Sequence, residues 1–220
     1  MGDFRNVLVV VAPPDDETFA SGLLADLVES GARVTIACLT RGEGGPTGGE
    51  RRESLGARRE EEMRRACGVL GVERVEFLGH VDPLARGYRM YPPAVSPADL
   101  AWELLPYLRE ADLALSHGSG GEYWHPAHLL VHDAIRRVRN GRGFPGEWLT
   151  FLARQPMHPI PRLVNWDDPV SLALDVSGRA GIREEALRCH ESQLGLFRKF
   201  ATGGIGDFIA KTALETYARW

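Results

Sequence analysis

Cysteine, lysine and long apolar runs are all scarce in this sequence of 220 residues. The three cysteines, Cys38, Cys67 and Cys189, are odd in number and far apart, which argues against a disulfide framework. Cys38 and Cys67 stand in apolar patterns typical of buried thiols, and this favours a reducing compartment. No apolar run reaches membrane-spanning length, and the N-terminus lacks the layout of a signal peptide. We therefore expect a cytoplasmic protein without a membrane span.

An excess of positive charge is also absent. The formal net charge is −4 at pH 7, so electrostatics give no support to a general nucleic-acid-binding role. Hydrophobic residues make up 44% of the chain and charged residues 25%, which is typical of a globular protein. Because a chain of this length can bury a substantial core as one unit, we expect residues 1–220 to form a single domain.

Strand-like and helix-like patterns alternate along the chain. Apolar runs predict strands at residues 7–12, 34–40, 75–79, 113–117, 148–155 and 170–176. Apolar residues at helical spacing predict helices near residues 21–30, 51–70, 97–110, 125–138 and 179–200. Alternation with short connections favours right-handed βαβ units. The expected fold is α/β, a Rossmann-like three-layer domain with a central, mostly parallel sheet, and the glycine-rich segment 41–50 is expected to form a lid or rim.

Adjacent carboxylates follow the first predicted strand. The segment APPDDE, residues 12–17, comes directly after the apolar run at residues 7–11. Ligands on α/β sheets bind beyond the carboxyl ends of the strands. Because neighbouring side chains point in different directions, Asp15 and Asp16 can divide the work, with one binding a metal ion and the other transferring protons.

Four of the seven histidines lie within sixteen residues after the fourth predicted strand. His117 ends that strand, and His125, His128 and His132 have the spacing of one face of a helix. In a parallel sheet this cluster reaches the same edge as the two aspartates. Imidazole and carboxylate groups form a good zinc site, in which three protein ligands leave one position for water. The alternative is a histidine-rich surface loop without a metal ion.

These two segments resemble the signature motifs of the LmbE-like / PIG-L family of zinc-dependent amino-sugar de-N-acetylases. The first family motif, AHPDDE, corresponds to residues 12–17, and the second, HPDH, corresponds to residues 125–128. Four weaker matches keep the family order, at residues 39–42, Arg59 with Glu62, residues 77–79 with Asp82, and residues 190–193. The resemblance implies a hydrolase that removes the acetyl group from an N-acetylated amino sugar or glycoconjugate.

The same resemblance implies a role for each matching residue. Asp15 would be the general base that activates a metal-bound water, and Asp16 and His128 would be zinc ligands. His125 would stabilise the oxyanion or protonate the leaving amine. Arg59 and Asp82 would contact the sugar. Apart from the resemblance, Tyr123 and Trp124 are candidate substrate contacts, because aromatic faces stack on sugars. Arg59 could instead extend from an apolar helix stripe to solvent, and the two aromatic residues could instead be packing residues.

Pro13 departs from the family pattern, because it stands where the third zinc ligand, a histidine, is expected. Asp16 and His128 alone should hold zinc weakly, so several outcomes stay open. His117 or Glu122 could replace the missing ligand, or the site could work with a weakly held metal. Otherwise the protein is a catalytically degenerate member that binds a sugar-like ligand or a partner, or performs metal-free chemistry on a natural-product intermediate. Family members often self-associate, so a homo-oligomer is also possible.

Overall fold

One sheet of seven strands carries every predicted strand and one more. The computed structural model describes residues 3–47, 49, 51–86, 89–153, 168–200 and 203–220. In these ranges the strands are β1 (Asn6–Val11), β2 (Arg33–Thr40), β3 (Arg74–His80), β4 (Leu113–Ser116), β5 (Glu147–Phe151), β6 (Leu172–Asp175) and β7 (Leu214–Arg219). Their order is β3-β2-β1-β4-β5-β7-β6. Strands β1 to β5 pair in parallel, and β7 pairs antiparallel with β5 and β6, which confirms the mostly parallel sheet.

Helices cover both faces of this sheet. They are α1 (Ser21–Glu29), α2 (Arg52–Leu70), α3 (Pro97–Glu110), the short α4 (Gly121–Trp124), α5 (Pro126–Asn140), α6 (Ala180–Arg188), α7 (Leu194–Phe200) and α8 (Ile205–Lys211). Side chains of β1 alternate between two core clusters, one shared with α1, α2 and α6 and the other with α3 and α5. This alternation is the period-two pattern of a strand buried on both faces, and it produces the expected three layers. None of the helices in the described ranges is long and apolar enough to span a membrane.

The C-terminal part of the chain differs from the prediction. The pattern over residues 179–200 predicts one helix, but the structure has α6, a 3-10 turn at Glu191–Gln193, and α7. The break occurs at His190, whose backbone is not helical (φ −80°, ψ 55°) and whose buried ring pairs with Glu17. The strand predicted at residues 148–155 ends at Phe151, and residues 154–155 lie outside the described ranges. Neither α8 nor β7 was predicted.

Glu215 in β7 joins the last strand to the first helix. Its carboxylate oxygens accept the backbone N–H groups of Gly22 and Leu23 at 2.7 and 2.9 Å. The hydroxyl of Tyr217 donates to Oε2 at 2.8 Å, and Nε of Arg183 lies 3.8 Å from Oε1. Glu215 is buried, so this carboxylate satisfies N–H groups in the first turn of α1 that have no partner within the helix.

We expect Glu215→Ala to lower the free energy of unfolding by about 3 kcal/mol, measured by urea denaturation. The substitution leaves the N–H groups of Gly22 and Leu23 without their acceptor and removes the negative charge 3.8 Å from the buried Arg183 guanidinium. Glu61→Ala, at an exposed position of α2, is the matched control and should change the free energy by less than about 0.5 kcal/mol. Equal effects of the two substitutions would contradict a capping role for Glu215.

Candidate active site

The ends of β1 and β4 bring the acidic and the histidine segments to one edge of the sheet. The two strands are parallel neighbours, and Val10 near the end of β1 pairs with Ser116 at the end of β4. The chain leaves β1 through a cis peptide bond between Ala12 and Pro13. The two segments therefore meet, as the parallel-sheet argument predicts.

Asp16, His117 and His128 converge in a buried cluster at this edge. His128 Nε2 lies 2.9 Å from Asp16 Oδ2, and His117 Nε2 lies 3.6 Å from the same oxygen. One donor atom from each residue lies within 4.8 Å of the other two. Beyond this contact with each other, Asp16 Oδ2 and His128 Nε2 have no hydrogen-bond partner in the described part of the chain. Because buried polar atoms are rarely left unpaired, these three side chains fit a metal ion.

Glu122 lies behind the two imidazoles. Its Oε2 accepts hydrogen bonds from Nδ1 of His117 at 2.9 Å and from Nδ1 of His128 at 2.5 Å. Its Oε1 accepts the N–H of Gly118 at 3.1 Å. The carboxylate therefore faces the side of the rings away from Asp16. Of the two candidates for a replacement ligand, the structure brings His117 to Asp16 and places Glu122 outside the cluster.

His117 already has a hydrogen-bond partner at Nε2, the nitrogen that faces Asp16. Its Nε2 accepts the backbone N–H of Ala12 at 3.1 Å, so coordination of a metal ion by His117 requires exchange of this hydrogen bond. His132, a further histidine of the segment, donates from Nδ1 to the carbonyl of His117 at 3.1 Å and packs against Trp148. His132 thus supports the end of β4 and does not belong to the cluster.

His128 is held between two carboxylates. Burial lowers the pKa of His128, but Asp16 and Glu122 outweigh burial and raise it to about 10. Burial raises the pKa of Asp16, and the neighbouring His128 reverses this effect and lowers it. The two carboxylates therefore favour the protonated form of His128.

Asp15 lies beside the cluster and has different partners. Burial raises the pKa of Asp15 to about 7, although the Arg59 guanidinium, 3.3 Å away, acts in the opposite direction. The backbone of Asp15 is left-handed, with φ 93°, and Oε2 of Glu17 accepts its N–H at 3.1 Å. Oε1 of Glu17 pairs with buried His190. A carboxylate with a pKa near 7 is suited to general base catalysis.

Sequence reasoning gave Glu17 no role, although it belongs to the APPDDE segment. The signal that could have identified it is the joint match of this segment and residues 190–193 to family motifs. That joint match indicates that the two segments lie together, and the structure shows that the Glu17–His190 pair connects them behind Asp15. Both side chains are buried, so they support the site from inside the fold.

His125 and Tyr123 place neutral groups beside the cluster. Nδ1 of His125 accepts the N–H of Ala127 at 3.3 Å, which puts the ring proton on Nε2. Burial, together with the charge of His128, lowers the pKa of His125 to about 3. Burial raises the pKa of Tyr123, so its hydroxyl stays protonated, and its ring lies 5.4 Å from that of His125. Both side chains can therefore donate hydrogen bonds.

A cavity of about 420 Å³ opens over these residues. Its polar lining includes Asp15, Asp16, Asp82, Tyr123 and His125. Its apolar wall consists of Pro83, Leu84, Ala85, Met90, Tyr91 and Leu196. Burial raises the pKa of Asp82 to about 6, against the opposing effect of Arg59. The glycine-rich segment contributes Gly44, Gly45 and Pro46, which agrees with its expected place at the rim.

Arg59 borders the cavity, but its guanidinium mainly forms hydrogen bonds with backbone carbonyls inside the fold. It is 2% exposed, so the alternative in which its side chain extends to solvent is wrong. Its Nη1 donates to the carbonyl of Gly42 at 3.0 Å and its Nη2 to the carbonyl of Pro14 at 2.5 Å. A Cβ at Gly42, which has φ 70°, would lie 2.5 Å from Nη1, so glycine permits this approach. Arg59 therefore holds the two segments that carry and border Asp15.

Trp124, which the sequence suggests as a substrate contact, lies outside the described lining of the cavity. It is absent from the described residues that line the cavity, and its side chain is 69% exposed. Its backbone has a left-handed φ of 62° immediately before His125 starts α5. Tyr123, the neighbouring aromatic residue, is the one that faces the cavity.

Comparisons with known proteins identify the family of this chain. The model of the PIG-L family, described as GlcNAc-PI de-N-acetylase, matches residues 8–139, more than half of the chain. A 1D-myo-inositol 2-acetamido-2-deoxy-alpha-D-glucopyranoside deacetylase from Corynebacterium diphtheriae is 29% identical over 230 residues, covering 88% of this chain and 77% of the relative. A protein of the same name from Thermobifida fusca is 31% identical over 154 residues, covering 61% of this chain and 54% of the relative.

Solved structures share the fold at low sequence identity. The N,N'-diacetylchitobiose deacetylase of Pyrococcus horikoshii has a TM-score of 0.65 at 18% identity, over 99% of this chain and 84% of its own. A zinc-inhibited form of the teicoplanin deacetylase Orf2 has a TM-score of 0.70 at 16% identity, over 98% of this chain and 97% of its own. The 4-carboxy-2-hydroxymuconate hydratase of Pseudomonas putida has a TM-score of 0.63 at 20% identity, over 98% of this chain and 95% of its own.

The hydratase among these structures means that the fold alone does not specify the reaction. The family match is a stronger finding, because it covers both the acidic and the histidine segments of the cluster. On this match, the chain belongs to the PIG-L family of GlcNAc-PI de-N-acetylases.

Proposed function

We propose that this protein is a metal-dependent de-N-acetylase that hydrolyses the acetamide of an N-acetylated amino sugar or glycoconjugate. The observation that carries the proposal is the convergence of Asp16 Oδ2, His117 Nε2 and His128 Nε2 in one buried cluster beside the cavity. The deacetylase names of the relatives support the same reaction class.

The proposed metal is zinc, held by Asp16, His128 and His117, with His117 in place of the ligand that Pro13 lacks. Carboxylate and imidazole ligands suit zinc, and three of them leave a position for water. The fit rests on the buried atoms Asp16 Oδ2 and His128 Nε2, which lie 2.9 Å apart and lack any further hydrogen-bond partner among the described residues. When bound, zinc would supply a polarised carbonyl and a water of lowered pKa.

The residues around the cluster supply the proton transfers. Asp15 is the proposed general base that removes a proton from the attacking water, and Arg59 and Glu17 fix its position. His125, neutral and with its proton on Nε2, donates a hydrogen bond to the developing oxyanion, and the leaving amine takes up the proton that Asp15 removed from the water. Attack of water breaks the amide C–N bond and gives acetate and a free amino sugar.

The cavity gives two regions for the substrate. We propose that the sugar hydroxyls donate to Asp82 while Tyr123 contacts the ring, because both residues line the polar side. The remainder of the substrate then lies along Leu84, Met90 and Tyr91. Because burial of apolar surface is favourable, this wall favours a glycoconjugate with an apolar group over a free sugar.

One observation favours a catalytically degenerate member as the second candidate. His117 Nε2 is paired with the N–H of Ala12, and His128 lies between Asp16 and Glu122. The cluster can thus pair its charges without a metal ion. In that case the cavity would bind a sugar-like ligand without hydrolysis, or Asp15 and His125 would act as a metal-free acid–base pair on a natural-product intermediate.

The test is to load the purified protein with Zn²⁺, desalt it, and measure its metal content and the acetate released from N-acetyl sugars. N-acetylglucosamine, N,N'-diacetylchitobiose and 4-nitrophenyl N-acetyl-β-glucosaminide are suitable probes, the last with an apolar group. We expect about one zinc per chain and acetate release that is abolished by chelation and restored by zinc. Retained zinc with no acetate from any probe would contradict the deacetylase proposal. If the protein neither retains zinc nor releases acetate, this result would support the catalytically degenerate member.

Three expectations from the sequence stay proposals. They are a single domain over residues 1–220, a cytoplasmic location and a homo-oligomer. The buried thiols of Cys38 and Cys67 support a reducing compartment, and all seven strands from β1 to β7 lie in one sheet, which supports a single domain.

A further inference from the structure

We infer that Glu122 is a positioning residue shared by both imidazoles of the cluster, and that this sharing brings His117 into the place of the ligand that Pro13 lacks. The inference rests on the proposed function, because the imidazoles matter only if the cluster holds a metal ion. It assigns to Glu122 a role in orienting two ligands, instead of the role of a ligand.

The hydrogen bonds of Glu122 determine which nitrogen of each ring faces Asp16. Oε2 accepts from Nδ1 of His117 at 2.9 Å and from Nδ1 of His128 at 2.5 Å. An imidazole that donates from Nδ1 to a carboxylate keeps its lone pair on Nε2 when neutral, and the carboxylate makes it a better ligand. One carboxylate therefore favours the same tautomer in both rings, together with the N–H of Ala12 at Nε2 of His117 and the carbonyl of Gly121 at Nδ1 of His128.

The two rings are also oriented alike. Their centroids are 3.7 Å apart and their planes differ by 11°, so they are stacked. Because both Nδ1 atoms contact the same oxygen of Glu122, both Nε2 atoms lie on the opposite side, at 2.9 and 3.6 Å from Asp16 Oδ2. Removal of the shared acceptor would leave His117 held only through the N–H of Ala12 at Nε2, and the Nδ1 of His128 with only the carbonyl of Gly121, 3.2 Å away, so both rings would be less firmly oriented.

The backbone of Glu122 gives an independent observation. Its φ of 57° and ψ of −67° lie in a region that residues other than glycine rarely adopt. Such a conformation costs on the order of 1–3 kcal/mol and persists only where surrounding contacts fix it. The side chain is fully buried, and Oε1 also accepts the N–H of Gly118 at 3.1 Å. The contacts of the carboxylate thus act with the backbone hydrogen bonds of this turn to stabilise the conformation.

Glu122→Gln tests the inference with little change in shape. An amide has one acceptor oxygen, so it cannot accept from both rings and from Gly118 N–H as the carboxylate does. We expect zinc affinity, measured by competition with a chelator, to fall by about 10- to 100-fold. The visible spectrum of the protein loaded with Co²⁺ should also change, because the ligand geometry changes. A purely structural role would leave this spectrum unaltered.

Glu62→Gln is the matched control. Glu62 is also fully buried, but its carboxylate accepts hydrogen bonds from Ser192 and Arg58, which are not part of the cluster. We expect this variant to lose stability while it keeps zinc affinity and the cobalt spectrum. Equal losses of affinity in the two variants would overturn the inference, because general destabilisation would then be the cause.

The outcomes separate the inference from the function on which it rests. If the unaltered protein binds zinc and Glu122→Gln binds it equally well, the inference is overturned and the metal site stands. If the unaltered protein binds no zinc, the proposed metal site fails, and the inference fails with it. The shared positioning role would be confirmed if Glu122→Gln shows weaker zinc binding and a changed cobalt spectrum while Glu62→Gln shows neither.

Discussion

Asp15→Asn should lower kcat for acetamide hydrolysis by about 10²- to 10⁴-fold while zinc binding is retained. The asparagine has nearly the same shape but cannot take up the proton of the attacking water. Asp15 is also separate from the metal cluster, since its carboxylate is paired with Arg59 at 3.3 Å. The measurement is the rate of acetate release at saturating substrate, with the zinc content of the variant determined in parallel.

Asp82→Asn is the control for this experiment. Asp82 lines the same cavity but belongs to the proposed sugar-binding side, so its substitution should mainly raise KM. An Asp15→Asn variant with full zinc content and unchanged kcat would remove Asp15 as the base.

The parts of the fold and site that the sequence predicts are those determined locally. The apolar run at residues 7–11 and its DDE ending identify both a buried strand and the edge at which it ends. The same reasoning places His117 at the end of β4, next to β1, and the parallel pairing of these strands brings the two segments together. Local pattern and strand direction are enough for this result.

The parts that were missed depend on contacts between distant segments. Glu215 caps α1 from a strand at the other end of the chain, and the α6–α7 break depends on the pairing of His190 with Glu17. A sequence pattern gives no signal for such contacts. The sequence likewise does not decide whether Glu122 is a metal ligand or a residue that orients the imidazoles. Its place is decided by the backbone conformation that turns its carboxylate toward Nδ1 of both rings.

His117→Ala should weaken zinc binding by at least about 100-fold, because loss of a ligand should cost at least as much as loss of an outer partner. This factor corresponds to about 2.7 kcal/mol of binding free energy. With Pro13 unable to coordinate, the variant retains only Asp16 and His128 among the three clustered ligands. The measurement is zinc affinity by chelator competition, with thermal unfolding to show that the variant is folded.

The double variant with Pro13→His and His117→Ala tests whether His117 replaces a ligand at position 13. If His117 replaces the ligand that Pro13 lacks, a histidine at position 13 should restore much of the lost affinity, because Pro13 borders the same cavity as Asp16. His80→Ala is the control, since His80 pairs with Glu103 outside the cluster and its loss should leave zinc affinity unchanged. Unchanged zinc affinity in His117→Ala would instead mean a site with two protein ligands. The bond from Ala12 N–H to His117 Nε2 would then persist in the metal-bound protein, and His117 would serve to hold the end of β1.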